Sequence, residues 1–170
     1  MTRAASRPRG IITKLVFAAV FLGVGAYGGS VLATPGEGVG STQLAQGSLD
    51  PIRIRSEVGN WGIEIKTKGQ SSVTVVENTV VPGGHFGWHS HPGPSIVVVK
   101  SGTATFYRGD DPTCTPTTYE TGQAFADPVG GLVHIVRNEG TEPLVVVVTR
   151  FLPPGAPSRI DEPRPGNCSF

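Results

Sequence analysis

Between residues 51 and 152 the sequence is a succession of short apolar runs parted by turn residues: 52–57, 61–67, 72–81, 96–100, 103–108, 123–126, 132–137 and 144–152. Runs this short and this regularly spaced cannot supply the long amphipathic periods of helices, and they predict an all-β sandwich or barrel. The residue types agree. The chain holds 21 Val and 16 Thr against 8 Leu and 11 Ala, and β-branched side chains suit a pleated, half-buried surface better than a helix. With 170 residues and 38% hydrophobic content, one domain with its own core is expected rather than several. The runs Ile96 to Val99 and Leu144 to Val148 are apolar at every position. Each is therefore predicted to be covered on its outer side as well, by a second sheet, a tail or another subunit, and a homodimer formed through one sheet is the expectation.

The charge is unevenly placed. Arg3, Arg7, Arg9 and Lys14 stand at the front, whereas all 13 acids lie at Glu37 or later, so the formal +1 becomes −3 past residue 33. A mildly acidic body without a Lys/Arg cluster lacks the phosphate-neutralising surface that drives nucleic-acid binding, and that class of partner is set aside. Residues 1–14 are basic, Leu15 to Ala26 is an unbroken apolar or Gly run, and Val31-Leu32-Ala33 offers small residues for cleavage. Segment 1–33 is thus expected to be a signal peptide, the rival reading being an uncleaved anchor helix over Ile11 to Ala33. Both put the domain outside the cytoplasm, secreted or tethered, with membrane contact only through this segment. The only cysteines, Cys114 and Cys168, lie in the exported part, where an even pair is expected to form a disulfide. A shared metal site is the poorer reading, since there is no CxxC spacing. Residues 34–50, with Gly36, Gly38 and Gly40, read as a flexible linker, residues 51–152 as the folded domain, and residues 153–170 as a Pro-rich tail that wraps the surface.

Chemistry concentrates on the four histidines. His85, His89 and His91 fall within Gly83-Gly-His-Phe-Gly-Trp-His-Ser-His-Pro92, and His134 follows in Val133-His-Ile-Val-Arg-Asn138. On an extended strand residues i and i+2 share a face, so His89 and His91 can reach one metal ion, and a third imidazole from a neighbouring strand completes the set. Trp88 alternates with His89 and is expected to face away from the site. Phe106, Tyr107 and Phe125 are expected in the core, and Asn138 shares the inward phase of His134.

These residues resemble the two motifs of the cupin superfamily. For the first, G-x5-H-x-H-x3,4-E-x6-G, the chain supplies Gly83, His89, His91 and Gly102, with Ser95 in the glutamate slot. For the second, G-x5-P-x-G-x2-H-x3-N, it supplies Gly122, Pro128, His134 and Asn138, with Gly131 one place late. The stretches around Cys114 and Cys168 also look like those of small exported bacterial cupins. The resemblance implies a jelly-roll barrel, the double-stranded β-helix, with a metal or ligand site at its mouth. It implies His89, His91 and His134 as ligands of a divalent ion such as iron, manganese, nickel, copper or zinc.

With Ser95 a weak ligand, three neutral imidazoles leave the +2 charge uncompensated, which favours anionic ligands. Glu77, Glu120 and Asp127 are the acids able to supply a carboxylate from elsewhere. His85 is a candidate fourth ligand or rim acid/base. Two functions follow: a dioxygenase-like metal-dependent oxidoreductase acting on a small anionic molecule, or a non-catalytic ligand- or metal-binding module of the cell envelope. A purely structural domain is a third reading, disfavoured by three intact ligand positions. No nucleophile elbow or Ser-His-Asp order supports a hydrolase.

Overall fold

The structure is a computed structural model that describes Met1, residues 33–127 and residues 131–170. The segment read as a signal peptide or anchor helix lies outside the described residues but for its two ends, and Pro128 of the second motif also lies outside them. Every regular element among the described residues is a strand: β1 (Glu37–Leu49), β2 (Arg53–Val58), β3 (Trp61–Lys66), β4 (Ser71–His85), β5 (His89–Ser90), β6 (Ser95–Ser101), β7 (Thr103–Arg108), β8 (Thr117–Glu120), β9 (Ala124–Asp127), β10 (His134–Arg137), β11 (Leu144–Leu152) and β12 (Ile160–Asp161). Among the described residues no helix is long and apolar enough to cross a membrane.

Ten of these strands form one antiparallel sheet that curls into a nearly closed barrel. Its order is β12-β5-β10-β4-β11-β6-β9, with β1 paired to β4, β7 to β10 and β8 to β7. Alternation along the strands fills the interior. In β6, Val97 and Val99 point inward while Ile96 and Val98 point out, and in β11 Leu144, Val146 and Val148 are the buried phase. These side chains pack with Val80, Phe106 and Phe125 into the main core. On the outer face of β6, Ile96 and Val98 are 45% and 42% exposed, so among the described residues neither a second sheet nor the tail buries them. β2 and β3 stand apart as a two-stranded sheet.

Residues 37–49 are not a linker. They form β1, paired along β4 from Leu49 opposite Ser71 to Glu37 opposite His85. Nearly every side chain of β1 is exposed, so the strand carries no apolar alternation, and main-chain hydrogen bonds to β4 hold it. Gly38, at φ +66°, sits at the register shift between Glu37 and Val39, where a bulged strand calls for a residue without a Cβ.

A second, smaller core lies on the outer side of the barrel wall, where Trp88, Tyr107 and Ile135 pack against Val133, Phe170 and the Cys114–Cys168 disulfide. The tail 153–170 wraps this surface as expected and joins the sheet only through the two-residue β12 at its edge. Asn167 Nδ2 donates to the carbonyls of Arg108 (2.9 Å) and Asp111 (2.6 Å), and the Phe170 ring stacks on Trp88 with an interplanar angle of 8°. Trp88 thus faces away from the histidines, as its alternation requires.

Candidate metal centre

The local chain between the strands sets the first two histidines in place. Gly87 adopts φ +75°, and a Cβ there would lie 2.2 Å from the Thr34 carbonyl oxygen, so the turn from β4 into β5 needs glycine. After that turn His89 and His91 fall on one side of the strand. His134, the first residue of β10, pairs directly with His89. Antiparallel pairing across one register position puts both side chains on the same face, and the three rings gather with centroids 4.3 to 5.3 Å apart.

Backbone carbonyls determine how the rings present themselves. Nδ1 of His89 is 2.8 Å from the Gly87 oxygen, Nδ1 of His91 is 2.8 Å from the Ser158 oxygen, and Nδ1 of His134 is 3.1 Å from the Leu132 oxygen. A carbonyl can only accept, so each Nδ1 carries the proton and donates it, which leaves each Nε2 as a lone pair. One ring nitrogen from each histidine lies within 4.8 Å of the others. The Nε2 atoms of His91 and His134 are buried without any hydrogen-bond partner. Burial, reinforced by the neighbouring rings, holds the pKa of His89 well below its ordinary 6.5; burial also lowers that of His134. Three convergent imidazoles, two of them with an otherwise unsatisfied Nε2, fit a divalent cation, with the backbone acting as the orienting shell that metal-bound imidazoles require.

The acids sort clearly. Asp127, the last residue of β9, is buried, its two carboxylate oxygens 3.4 Å from His91 Nε2 and 3.7 Å from His134 Nε2. Glu77 instead pairs with Lys100 at the surface (2.8 Å), and Glu120 is exposed at the end of β8. His85 does not join the trio. It closes β4 opposite Arg137, accepts from the Gly87 N–H through Nδ1 (3.1 Å) and turns Nε2 toward Glu37 (3.9 Å). Partial burial and Arg137 lower its pKa. Asn138 is buried as expected and acts on the backbone: Nδ2 donates to the Val80 and Glu142 carbonyls (2.9 and 2.8 Å), tying the β10–β11 turn to β4.

His89 and His91 open into a chamber of about 30 Å³, lined also by Asn78, Phe86, Asp127 and Arg150, with room for an ion and one or two waters. Asn78, Phe86 and Arg150 also line a wider bowl of about 560 Å³, to which Gln43 of β1 and Arg159 of the tail contribute. Across the sheet Asp127, Ser95, Arg150 and Thr74 occupy one continuous row of directly opposed positions. Ser95 Oγ, Arg150 Nε and Thr74 Oγ1 are each buried without a hydrogen-bond partner. Neither Arg150 nor Thr74 was singled out by motif, but Arg150 shares the inward phase of Val146 and Val148, and that break in an apolar run is a legible signal.

A nearly closed all-β barrel is the layout of a double-stranded β-helix, and its HxH pair with a distant third histidine gathers three imidazoles that fit a metal ion. Residues 76–150 match the family model for the cupin domain, and this span is a cupin domain. Among solved structures it is similar to a conserved protein of unknown function from Streptococcus pyogenes (21% identity, 48% of this chain and 65% of that one, TM-score 0.40). It is also similar to a cupin superfamily protein from Desulfitobacterium hafniense (14% identity, 68% of this chain and 78% of that one, TM-score 0.46). A third similar structure is a conserved protein with a double-stranded β-helix domain from Klebsiella pneumoniae (26% identity, 66% and 85%, TM-score 0.44). The chain spans just under two thirds of the streptococcal protein's length. A search of curated proteins finds no significant match.

Proposed function

We propose that this is an exported cupin that holds one divalent metal ion through Nε2 of His89, His91 and His134 and uses it to bind and transform a small anionic molecule. The observation that carries the reading is the set of three backbone-locked imidazoles whose free nitrogens converge in a buried chamber. When bound, the ion supplies Lewis-acid polarisation of the anion and, if it is iron, manganese, nickel or copper, a redox centre.

The chain's own residues supply the anion's berth. Arg150 offers a fixed positive charge with an unsatisfied N–H, and the Ser95 and Thr74 hydroxyls beside it are also unpaired. A buried donor without a partner costs about 1–3 kcal/mol, and a carboxylate seated on this row would satisfy all three. Arg159, held by Asp161 and donating to the Phe86 carbonyl, adds positive charge at the bowl. Phe86 and the valines Val97, Val136, Val146 and Val148 give the chamber an apolar wall beside its polar groups. The disulfide fits an oxidising compartment and supports export.

Two variants test the reading. His89→Ala is expected to lose the ion while keeping the β-rich circular dichroism, and retained stoichiometric metal would overturn the ligand assignment. Arg150→Met is expected to keep the ion but weaken binding of simple carboxylates such as oxalate or malonate at least tenfold by calorimetry. Unchanged carboxylate affinity would remove Arg150 from the anion site.

A further inference from the structure

We infer that Asp127 is the fourth protein ligand of the metal, replacing from the neighbouring strand the carboxylate that Ser95 cannot supply. The inference rests on the three-histidine metal site proposed above. In the motif that this chain resembles, the residue at Ser95 is a glutamate. Here the position is fully buried, and its short hydroxyl has no partner. Ser95 in β6 is directly opposed to Asp127 in β9. Opposed residues of an antiparallel pair project to the same face with Cβ atoms about 5 Å apart, so a carboxylate on β9 enters the same chamber one strand over.

Asp127 turns its carboxylate toward two rings of the trio, with the Arg150 charge as a further neighbour. Its oxygens lie 3.4 and 3.7 Å from His91 Nε2 and His134 Nε2, both too long for hydrogen bonds. With each Nδ1 donating to a backbone carbonyl, the neutral form of either ring presents a lone pair at Nε2. A buried carboxylate facing two nitrogen lone pairs is repulsive unless a positive centre lies between them. The spacing suits one. Neighbouring ligands of a tetrahedral ion with bonds of about 2.1 Å are separated by about 3.4 Å, which the His91 and His134 contacts approach; the cluster of ligand atoms within 4.8 Å of one another holds the three histidines without Asp127, so the carboxylate closes on the ion from the His91–His134 side. Asp127 lines the same small chamber as His89 and His91. With this carboxylate the bound ion keeps a net +1, to which Arg150 adds its own charge, so the site still favours an anion while binding the ion more tightly than three imidazoles alone.

The test uses Co(II) as probe, titrated into the metal-free, disulfide-intact protein against a competing chelator, with the visible absorption spectrum recorded. Asp127→Asn, nearly isosteric, is expected to weaken Co(II) binding at least tenfold and to change the ligand-field bands. The double variant Ser95→Glu/Asp127→Asn is expected to regain at least part of the lost affinity, because it returns the carboxylate to β6. Glu77→Gln, which alters a surface ion pair, is expected to leave both readouts at wild type. If the wild type binds Co(II) and Asp127→Asn matches it in affinity and spectrum, Asp127 is not a ligand although the histidine site stands. If the wild type binds no Co(II), the histidine site itself falls, and this inference with it. Should Asp127→Asn lose its β-sheet circular dichroism, Asp127→Glu serves instead: an altered spectrum with Co(II) retained supports ligation, and an identical one overturns it.

Discussion

His89, His91 and His134 owe their usefulness less to being histidines than to the carbonyls behind them. Each Nδ1 proton is committed to a backbone oxygen, so the free nitrogen is fixed without a carboxylate in the second shell. Burial lowers the pKa of His89 and His134, whereas in the unfolded chain both rings titrate near 6.5. Between the lowered values and 6.5 the unfolded chain therefore binds more protons than the folded one, and stability falls as pH falls through that window. The metal-free protein is expected to melt at a constant temperature above about pH 7.5 and progressively lower below about pH 6.5. A melting temperature that rises on acidification would contradict the burial. Gly87 gives a second prediction at this scale. Its positive φ and the 2.2 Å approach to the Thr34 oxygen leave no space for a methyl, so Gly87→Ala is expected to cost roughly 2–3 kcal/mol in denaturant unfolding. Gly69→Ala, where nothing lies within 4 Å, is expected to be near neutral.

Strands were legible in the sequence where apolar residues recur, even in β2 and β3, whose side chains are almost all exposed. The runs at 52–57, 61–67, 72–81, 96–100, 103–108, 123–126, 132–137 and 144–152 return as β2, β3, β4, β6, β7, β9, β10 and β11, shifted by a residue or two and with β4 running on to His85. β1 was not legible, because it carries no apolar alternation and is defined by pairing to β4, an interaction that leaves no pattern in residue type. β5 was visible only as the HxH spacing, being two residues long. The site divides in the same way: the histidine trio follows from strand alternation, while the reach of Asp127 into the chamber depends on the β6–β9 register, which is a tertiary fact. The tail is an element whose hold can be measured. The disulfide closes a loop of sequence separation 54 and pins Phe170 over Trp88 and Tyr107. Replacing Cys114 and Cys168 by serine is expected to lower stability by roughly 4 kcal/mol on the chain-entropy model. Equal unfolding midpoints of oxidised and reduced protein would contradict that role.

For the whole molecule, the barrel provides rigid walls and the irregular segments provide the entrance. The inner chamber is made by strands β4, β5, β6, β9, β10 and β11, whereas β1 and the tail raise the rim of the outer bowl. The tail serves both: it lines the bowl, and its Ser158 carbonyl orients His91 in the histidine trio. The measurement that bears most directly on the metal centre is elemental analysis by plasma mass spectrometry of the full chain recovered from a host that exports it, so that the ion is loaded outside the cytoplasm. About one equivalent of a single divalent metal per chain, retained through dialysis at pH 7.5 and released near pH 5 as the imidazoles protonate, is the expected result. Protein that is folded, disulfide-bonded and free of metal under those conditions would contradict it.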